Sequence, residues 1–176
     1  MKKFNKIIAS VAALAALSSG VGASSAHAQL TSGNAIVTLT LVDVMALVVS
    51  VPAVPLTYGS VTDFIDGRNV TIPLQLLVSS NRPYDLKVRA DGDLTSGLGQ
   101  SATTIPIGNI TVQAMSGGLG TTPAVNLSTS DQTFVSNAPG AMAKTVDMKY
   151  STPANSQDFV KTGIYTATIT YSISAH

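Results

Sequence analysis

Apolar and polar side chains alternate with a period of two along most of this chain, and helical periodicity is nearly absent. The clearest run is 84–90, which places Tyr84, Leu86, Val88 and Ala90 on one side and Asp85, Lys87 and Arg89 on the other. Successive side chains of a β-strand point to opposite faces of the sheet, so this run predicts a strand with one buried face.

The same pattern recurs between turn signals such as Asp66-Gly67 and predicts seven to nine short strands. The main candidates are 36–49, 70–79, 84–90, 105–115, 125–127, 132–136, 144–150 and 163–175. Within 70–79 the even positions are predicted to face the core, and Pro73 indicates a free backbone edge. No run of helical length separates the strands, which argues against a parallel sheet. The sequence therefore predicts an all-β fold, an antiparallel immunoglobulin-like Greek-key β-sandwich.

The first 28 residues have the pattern of a secretory signal peptide. Three lysines precede an apolar run of 11 residues at 7–17, and residues 26–28 (AHA) form an A-x-A cleavage pattern. This run is shorter than the roughly 20 residues that a membrane-spanning helix needs. We therefore expect cleavage before Gln29, with residues 29–176 forming one exported domain that has no transmembrane segment.

Composition limits the chemistry that this chain can carry. It has no Cys, two His, and nine acidic residues that are all Asp. His27 falls in the predicted signal peptide, and His176 is the last residue, where a catalytic imidazole is expected to be poorly held. The charged residues, 11% in near balance, do not predict the basic face of a nucleic-acid binder. We expect a protein that is not an enzyme and that has no cofactor, metal or nucleic-acid partner.

Two pairs of acids are candidates for chemistry, and each has a simpler interpretation. Asp91 and Asp93 could bind Ca²⁺, but the EF-hand pattern is absent and Asp-Gly is an ordinary turn sequence. Asp63 and Asp66 could form the carboxyl pair of a glycosidase, although no motif supports this pairing among nine scattered Asp.

Cations and tyrosines give equally weak signals. Lys87 and Arg89 could contact an acidic partner, but outward charges more often keep a strand soluble and block edge pairing. The tyrosines fall on inferred inward faces, which favours core packing over a sugar-binding platform. Those tyrosines are Tyr84, Tyr150, Tyr165 and Tyr171.

The N-terminal apolar run, 36–49, has more apolar alternation than the first strand of a small sandwich needs. It alternates cleanly up to Asp43 and is apolar on both sides afterwards, so Asp43 marks a predicted break, bulge or strand switch. One interpretation is a donor strand, which completes a neighbour's sheet through its backbone and its alternate side chains. The other is an ordinary first strand, and the sequence leaves both open. The side chains of the possible donor strand are Val37, Leu39, Leu41, Met45, Leu47 and Val49.

The layout resembles cysteine-free bacterial fimbrial or pilin-like subunits and related spore-coat-like β-sandwich proteins. The resemblance rests on the export junction 26–29 (AHAQ), the alternating start 34–43 (NAIVTLTLVD) and the closing strand 162–171 (TGIYTATITY). A final strand of the form G-x-Y-x-A-x-hydrophobic is typical of such subunits. Many pilin families carry one disulfide, which this chain lacks. The resemblance implies a secreted surface subunit without catalytic residues.

These features predict an exported protein with a structural or adhesive role, in the periplasm, on the outer surface or outside a Gram-negative bacterium. We expect its partners to be copies of itself or other surface subunits, joined into a filament by strand complementation through 36–49. The alternative is a monomeric carbohydrate-binding or adhesin module that uses Asp91, Asp93 and the loop 94–104.

Overall fold

The computed structural model describes residues 36–96, 104–159 and 161–176. The predicted signal peptide, 1–28, lies outside the described residues. The chain divides into two compact units, Met1–Leu39 and Thr40–His176. Residues 36–39 of the first unit have no regular secondary structure, and every strand and helix given below belongs to the second.

The described residues form eleven strands, one short helix and two 3₁₀ turns. The strands are β1 (Met45–Val49), β2 (Asn69–Ser80), β3 (Tyr84–Ala90), β4 (Leu94–Ser96), β5 (Thr104–Ile105), β6 (Thr111–Ala114), β7 (Val125–Asn126), β8 (Gln132–Ala138), β9 (Ala141–Ser151), β10 (Tyr165–Thr166) and β11 (Ile169–Ala175). The helix is α1 (Val61–Asp66), and the 3₁₀ turns are Ile107–Asn109 and Gln157–Phe159.

The strands confirm the predicted all-β class. One sheet has the order β1-β2-β9-β6-β7, a second has the order β11-β3-β8, and a small third sheet has the order β10-β4-β5. Every strand pair is antiparallel. A single apolar core draws buried side chains from both larger sheets, which gives the domain a sandwich-like form. No helix among the described residues has the length and apolarity needed to cross a membrane.

The strand count exceeds the predicted seven to nine because two predicted strands are each divided by contacts with the turn Asp91-Gly92-Asp93, and because β4 forms at the start of the predicted loop 94–104. Asp93 Oδ1 accepts a hydrogen bond from the Ile107 amide at 2.9 Å, inside the predicted strand 105–115. Asp91 Oδ1 accepts one from the Thr168 amide at 2.8 Å, inside the predicted strand 163–175. Each carboxylate thus takes an amide that a continuous ladder would use, and each strand divides at that point.

A bulge at Pro73 displaces one position of β2 from its predicted face, while Ile72, Leu76 and Val78 are buried as predicted. The ladder with β9 skips from Ile72 to Leu76, and Leu74 has a φ of 52°. The Leu74 amide donates to Asp147 Oδ1 at 2.7 Å instead of to a strand partner. As a result Leu74 is 56% exposed, although the alternation predicts it inward, and Gln75 is buried.

Helix α1 is an element that the period-two pattern does not predict. Ser60 Oγ accepts from the Asp63 amide and Asp63 Oδ2 accepts from the Ser60 amide, which forms a capping box. The helix ends at Gly67, whose φ of +74° suits glycine, and a Cβ there would lie 2.4 Å from the Thr152 carbonyl oxygen. The predicted turn at Asp66-Gly67 is therefore a helix end.

The buried tyrosines Tyr84 and Tyr150 differ in how their hydroxyl groups are satisfied. Tyr150 donates to Gln75 Oε1 at 2.7 Å. The Tyr84 hydroxyl is buried without a hydrogen-bond partner among the described residues. Burial raises the pKa of both phenols, so both are neutral at physiological pH.

We predict opposite effects for Tyr84→Phe and Tyr150→Phe. The first removes an unsatisfied buried hydroxyl and should raise the free energy of unfolding by about 1 kcal/mol. The second leaves the Gln75 amide oxygen without its donor and should lower that free energy by about 1–3 kcal/mol. Urea unfolding of residues 29–176 measures both free energies. A change of the same sign in both variants would contradict the stated difference between the two hydroxyl groups.

Asp63 gives a pH-dependent contribution to stability. The Gly59 amide, together with Ser60 and Arg68, lowers the pKa of Asp63 from 3.8 to about 2. Because the folded pKa lies below the unfolded one, this stabilisation is present above pH 3.8 and is lost as the pH falls toward 2. Asp63→Asn should therefore show a smaller fall in thermal midpoint than the unsubstituted protein between about pH 5 and 2. Parallel curves would show that Asp63 contributes nothing.

Candidate functional site

The two larger sheets each end in a strand whose outer edge has no strand partner among the described residues. β1 pairs with β2 in the register Met45↔Ser80, Leu47↔Val78 and Val49↔Leu76. At its two ends, the Val44 carbonyl accepts from Asn81 and the Ser50 amide donates to Gln75. Backbone hydrogen bonding alternates along an antiparallel strand. Because the even-numbered residues bond to β2, the N–H and C=O groups of the odd-numbered residues 45, 47 and 49 face the outer edge.

β11 presents the second free edge, and here too the odd-numbered residues have the outward-facing backbone groups. Its even-numbered positions bond to the β3 side, since the Thr168 carbonyl accepts from Asp91 and the His176 amide donates to the Pro83 carbonyl. The backbone groups of the odd positions, 169, 171, 173 and 175, therefore face away from β3. Unpaired N–H and C=O groups of this kind are a template for an added strand.

The last residue holds the C-terminal end of β11 in place. His176 Nδ1 lies 2.8 Å from Asp85 Oδ1, which also accepts from the Asn137 amide at 2.8 Å. The Asn137 amide first, and then His176, holds the pKa of Asp85 below its ordinary value. The terminal imidazole is thus anchored, in contrast to the expectation from its position in the sequence.

The free edges of β1 and β11 lie beside one another, and some of their Cα atoms approach within 8 Å without forming a ladder. We call this boundary the seam. The side chains that face the core along it are Met45, Leu47 and Val49 of β1 and Ile169, Tyr171 and Ile173 of β11.

The apolar core is incompletely covered along the seam. Met45 and Val49 are 38% and 40% exposed, whereas their cross-strand neighbours on β2, Ser80 and Leu76, are fully buried. On the other side, the core-facing residues of β11 are half-buried, while those of β3 are at most 3% exposed. An exposed apolar strip beside two unpaired strand edges has both features that an added strand requires.

An uncharged hydrogen-bond network supports the core beside the seam. The hydroxyl of Tyr171 contacts that of Tyr150, which donates to Gln75 Oε1, and Gln75 Nε2 donates to the Val51 carbonyl at 3.1 Å. Burial raises the pKa of Tyr171, so its phenol stays protonated. The network ties β2, β9 and β11 to the chain that follows β1, which fixes the aromatic side chains that border the seam.

The predicted donor segment, 36–49, is divided by the structure. Residues 45–49 form β1 in the protein's own sheet, and residues 36–44 have no regular secondary structure. Val37, Leu39 and Leu41 are 91%, 78% and 81% exposed. Residues 45–49 thus act as an ordinary first strand of the protein's own sheet. The donor role of the segment stays a prediction.

Side chains from the β2–β3 turn mark the place where the segment divides. Arg82 Nη1 lies 2.6 Å from Asp43 Oδ2. The Asn81 side chain accepts from the Val44 amide at 3.0 Å and donates to the Val42 carbonyl at 2.8 Å. These contacts satisfy backbone groups that strand pairing would otherwise use, so the ladder begins only at Met45. At the predicted break, Asp43 is thus held by an ion pair with Arg82.

The other polar candidates are engaged in local structure. Asp91 and Asp93 bond to the backbone amides described above, and no group of three or more metal-ligating side chains occurs among the described residues. The lowered pKa of Asp63 is opposite to the raised pKa that a general acid needs. Of the loop 94–104, the two ends are strand residues and residues 97–103 lie outside the part of the chain that the structure describes.

No protein-family model matches this chain, and no curated protein matches it.

Proposed function

We propose that this protein is an exported structural or adhesive subunit of a bacterial cell surface that assembles by strand complementation. In this proposal, residues 36–43 of one copy add a strand to the seam of the next. The observation that carries it is the seam itself, where two unpaired strand edges border apolar core residues that their own sheets leave partly exposed.

The spacing of the donor side chains matches that of the seam. Val37, Leu39 and Leu41 recur at every second position, so in an extended strand they lie on one face about 6.6–6.8 Å apart. The core-facing residues on each side of the seam recur with the same period. Burial of the donor side chains would contribute about 1.5–3 kcal/mol for each one fully covered.

The width of the seam implies that binding moves its edges. A strand hydrogen-bonded to neighbours on both sides separates them by about 9.6 Å, twice the normal strand spacing. Some Cα atoms of β1 and β11 are within 8 Å of one another. The two strands must therefore part for an incoming strand to pair with both, or the donor pairs with one edge and covers the other with its side chains.

We expect residues 29–176 to form concentration-dependent multimers in sedimentation velocity. Leu39→Asp places a charge on the face that enters the apolar seam and should abolish assembly, since an unpaired buried carboxylate is strongly unfavourable. Thr38→Asp, one residue away on the opposite face, is the matched control and should assemble. A monomer at every concentration, or equal assembly of both variants, would contradict the proposal.

Deletion of residues 29–43 gives a second test of the same segment. The truncated chain keeps β1 and should remain folded by circular dichroism but monomeric. Loss of folding in the truncated chain would show that the segment serves its own domain.

The absence of cysteine allows a direct test of which surfaces meet. A protein carrying Leu39→Cys, mixed with a separate protein carrying Leu47→Cys, should give a disulfide-linked heterodimer under mild oxidation. In the control, the Leu39→Cys protein is mixed with a protein carrying Lys87→Cys on the outer face of β3. This mixture should give little heterodimer. Equal yields at positions 47 and 87 would indicate random collision rather than a seam complex.

A further inference from the structure

A second surface, independent of the seam proposal, is a cleft of about 510 Å³. Its floor includes Ile105 and Ile110, which are 5% and 4% exposed. The lining also includes residues 54–58, Phe64 of helix α1 and residues 161–165. This volume lies within the range of about 300–1,000 Å³ that small-molecule sites occupy.

Aromatic rings shape the wall of the cleft. The Tyr58 ring stacks on Phe159 with centroids 5.2 Å apart and packs at a tilt against Phe64 at 5.0 Å. The Tyr58 ring is therefore packed against two other aromatic rings, and the cluster offers the cleft an apolar wall. Sugar recognition usually needs an open ring face and available hydrogen-bonding groups.

The hydroxyl groups along the same wall are already engaged. The Tyr58 hydroxyl lies 2.5 Å from Thr152 Oγ1, which also accepts from the Arg68 amide at 2.8 Å. The Tyr165 hydroxyl donates to the Lys161 carbonyl at 3.4 Å. These hydroxyl groups already have partners within the protein, and an apolar ligand chain needs none from them.

Among the described residues that line the cleft, Lys161 alone has a charged side chain. It is exposed and has no ion-pair partner among the described residues. The carboxylate of Asp63, which precedes the lining residue Phe64 in the sequence, is paired with Arg68 at 2.8 Å. The charge of the cleft is therefore complementary to an anion.

We propose that the cleft binds a single-chain anionic amphiphile, such as a fatty acid. Its aliphatic chain lies against the apolar floor and the aromatic wall, and its carboxylate pairs with Lys161. The apolar contacts supply most of the affinity, and the ammonium group selects the sign of the headgroup.

The test uses residues 29–176, with dodecanoate below its micelle concentration displacing anilinonaphthalene sulfonate, followed by fluorescence. Dodecyltrimethylammonium, with the same chain and opposite charge, should bind at least about tenfold more weakly. Lys161→Gln should weaken dodecanoate binding by about 3–10-fold and leave dodecanol binding unchanged. Lys87→Gln, on the outer face of β3, is the matched control and should bind like the unsubstituted protein.

Two further measurements locate the site. Ile164 lines the cleft and is 73% exposed, so Ile164→Ser should keep the fold and weaken both dodecanoate and dodecanol. Backbone amide shifts on addition of dodecanoate should cluster at 161–165. No displacement, equal binding of the cationic amphiphile, equal effects at Lys161 and Lys87, or shifts confined to β1 and β11 would each overturn the proposal.

Discussion

Burial of one apolar face on each of the two larger sheets holds this domain together. The chain has no cysteine for a disulfide, so the packed core must supply the stability that smaller secreted domains obtain from cross-links. Leu76, Val78, Leu86 and Val88 are fully buried at its centre. The core-facing side chains are more exposed at β1 and β11, which are edge strands of the two sheets. The proposed assembly surface is a direct consequence of this exposure.

The turn Asp91-Gly92-Asp93 shows how two carboxylates can shape a β fold without performing chemistry. Asp91 and Asp93 each accept a hydrogen bond from a backbone amide in a distant segment and end its ladder there. One interruption separates β10 from β11, so that β10 joins the small third sheet while β11 continues along β3. The small sheet then contributes Leu94, Ile105 and Tyr165 to the lining of the cleft.

The seam and the cleft differ in the ligand that each suits. The seam has unpaired backbone groups in register with alternate apolar side chains, which suits an extended strand. The cleft has an apolar floor, an aromatic wall whose Tyr58 hydroxyl is engaged, and a lysine with no ion-pair partner in the described part of the chain, which suits a small anionic amphiphile. Since the two surfaces use different residues, a variant in one leaves the other available as an internal control.

The sequence by itself determined the all-β class and the inward face of β3, because local alternation alone decides which side chains share a face. It also contained the capping box at Ser60 and Asp63, a local signal that does not depend on period-two alternation. Only the tertiary structure decided that Leu74 turns outward at a bulge and that residues 36–44, most of which also alternate, form no strand. Both depend on side chains far away in the sequence, Asp147 in the first case and Asn81 with Arg82 in the second. Local periodicity carries no information about such partners, so which apolar residues stay uncovered could be settled only by the folded chain.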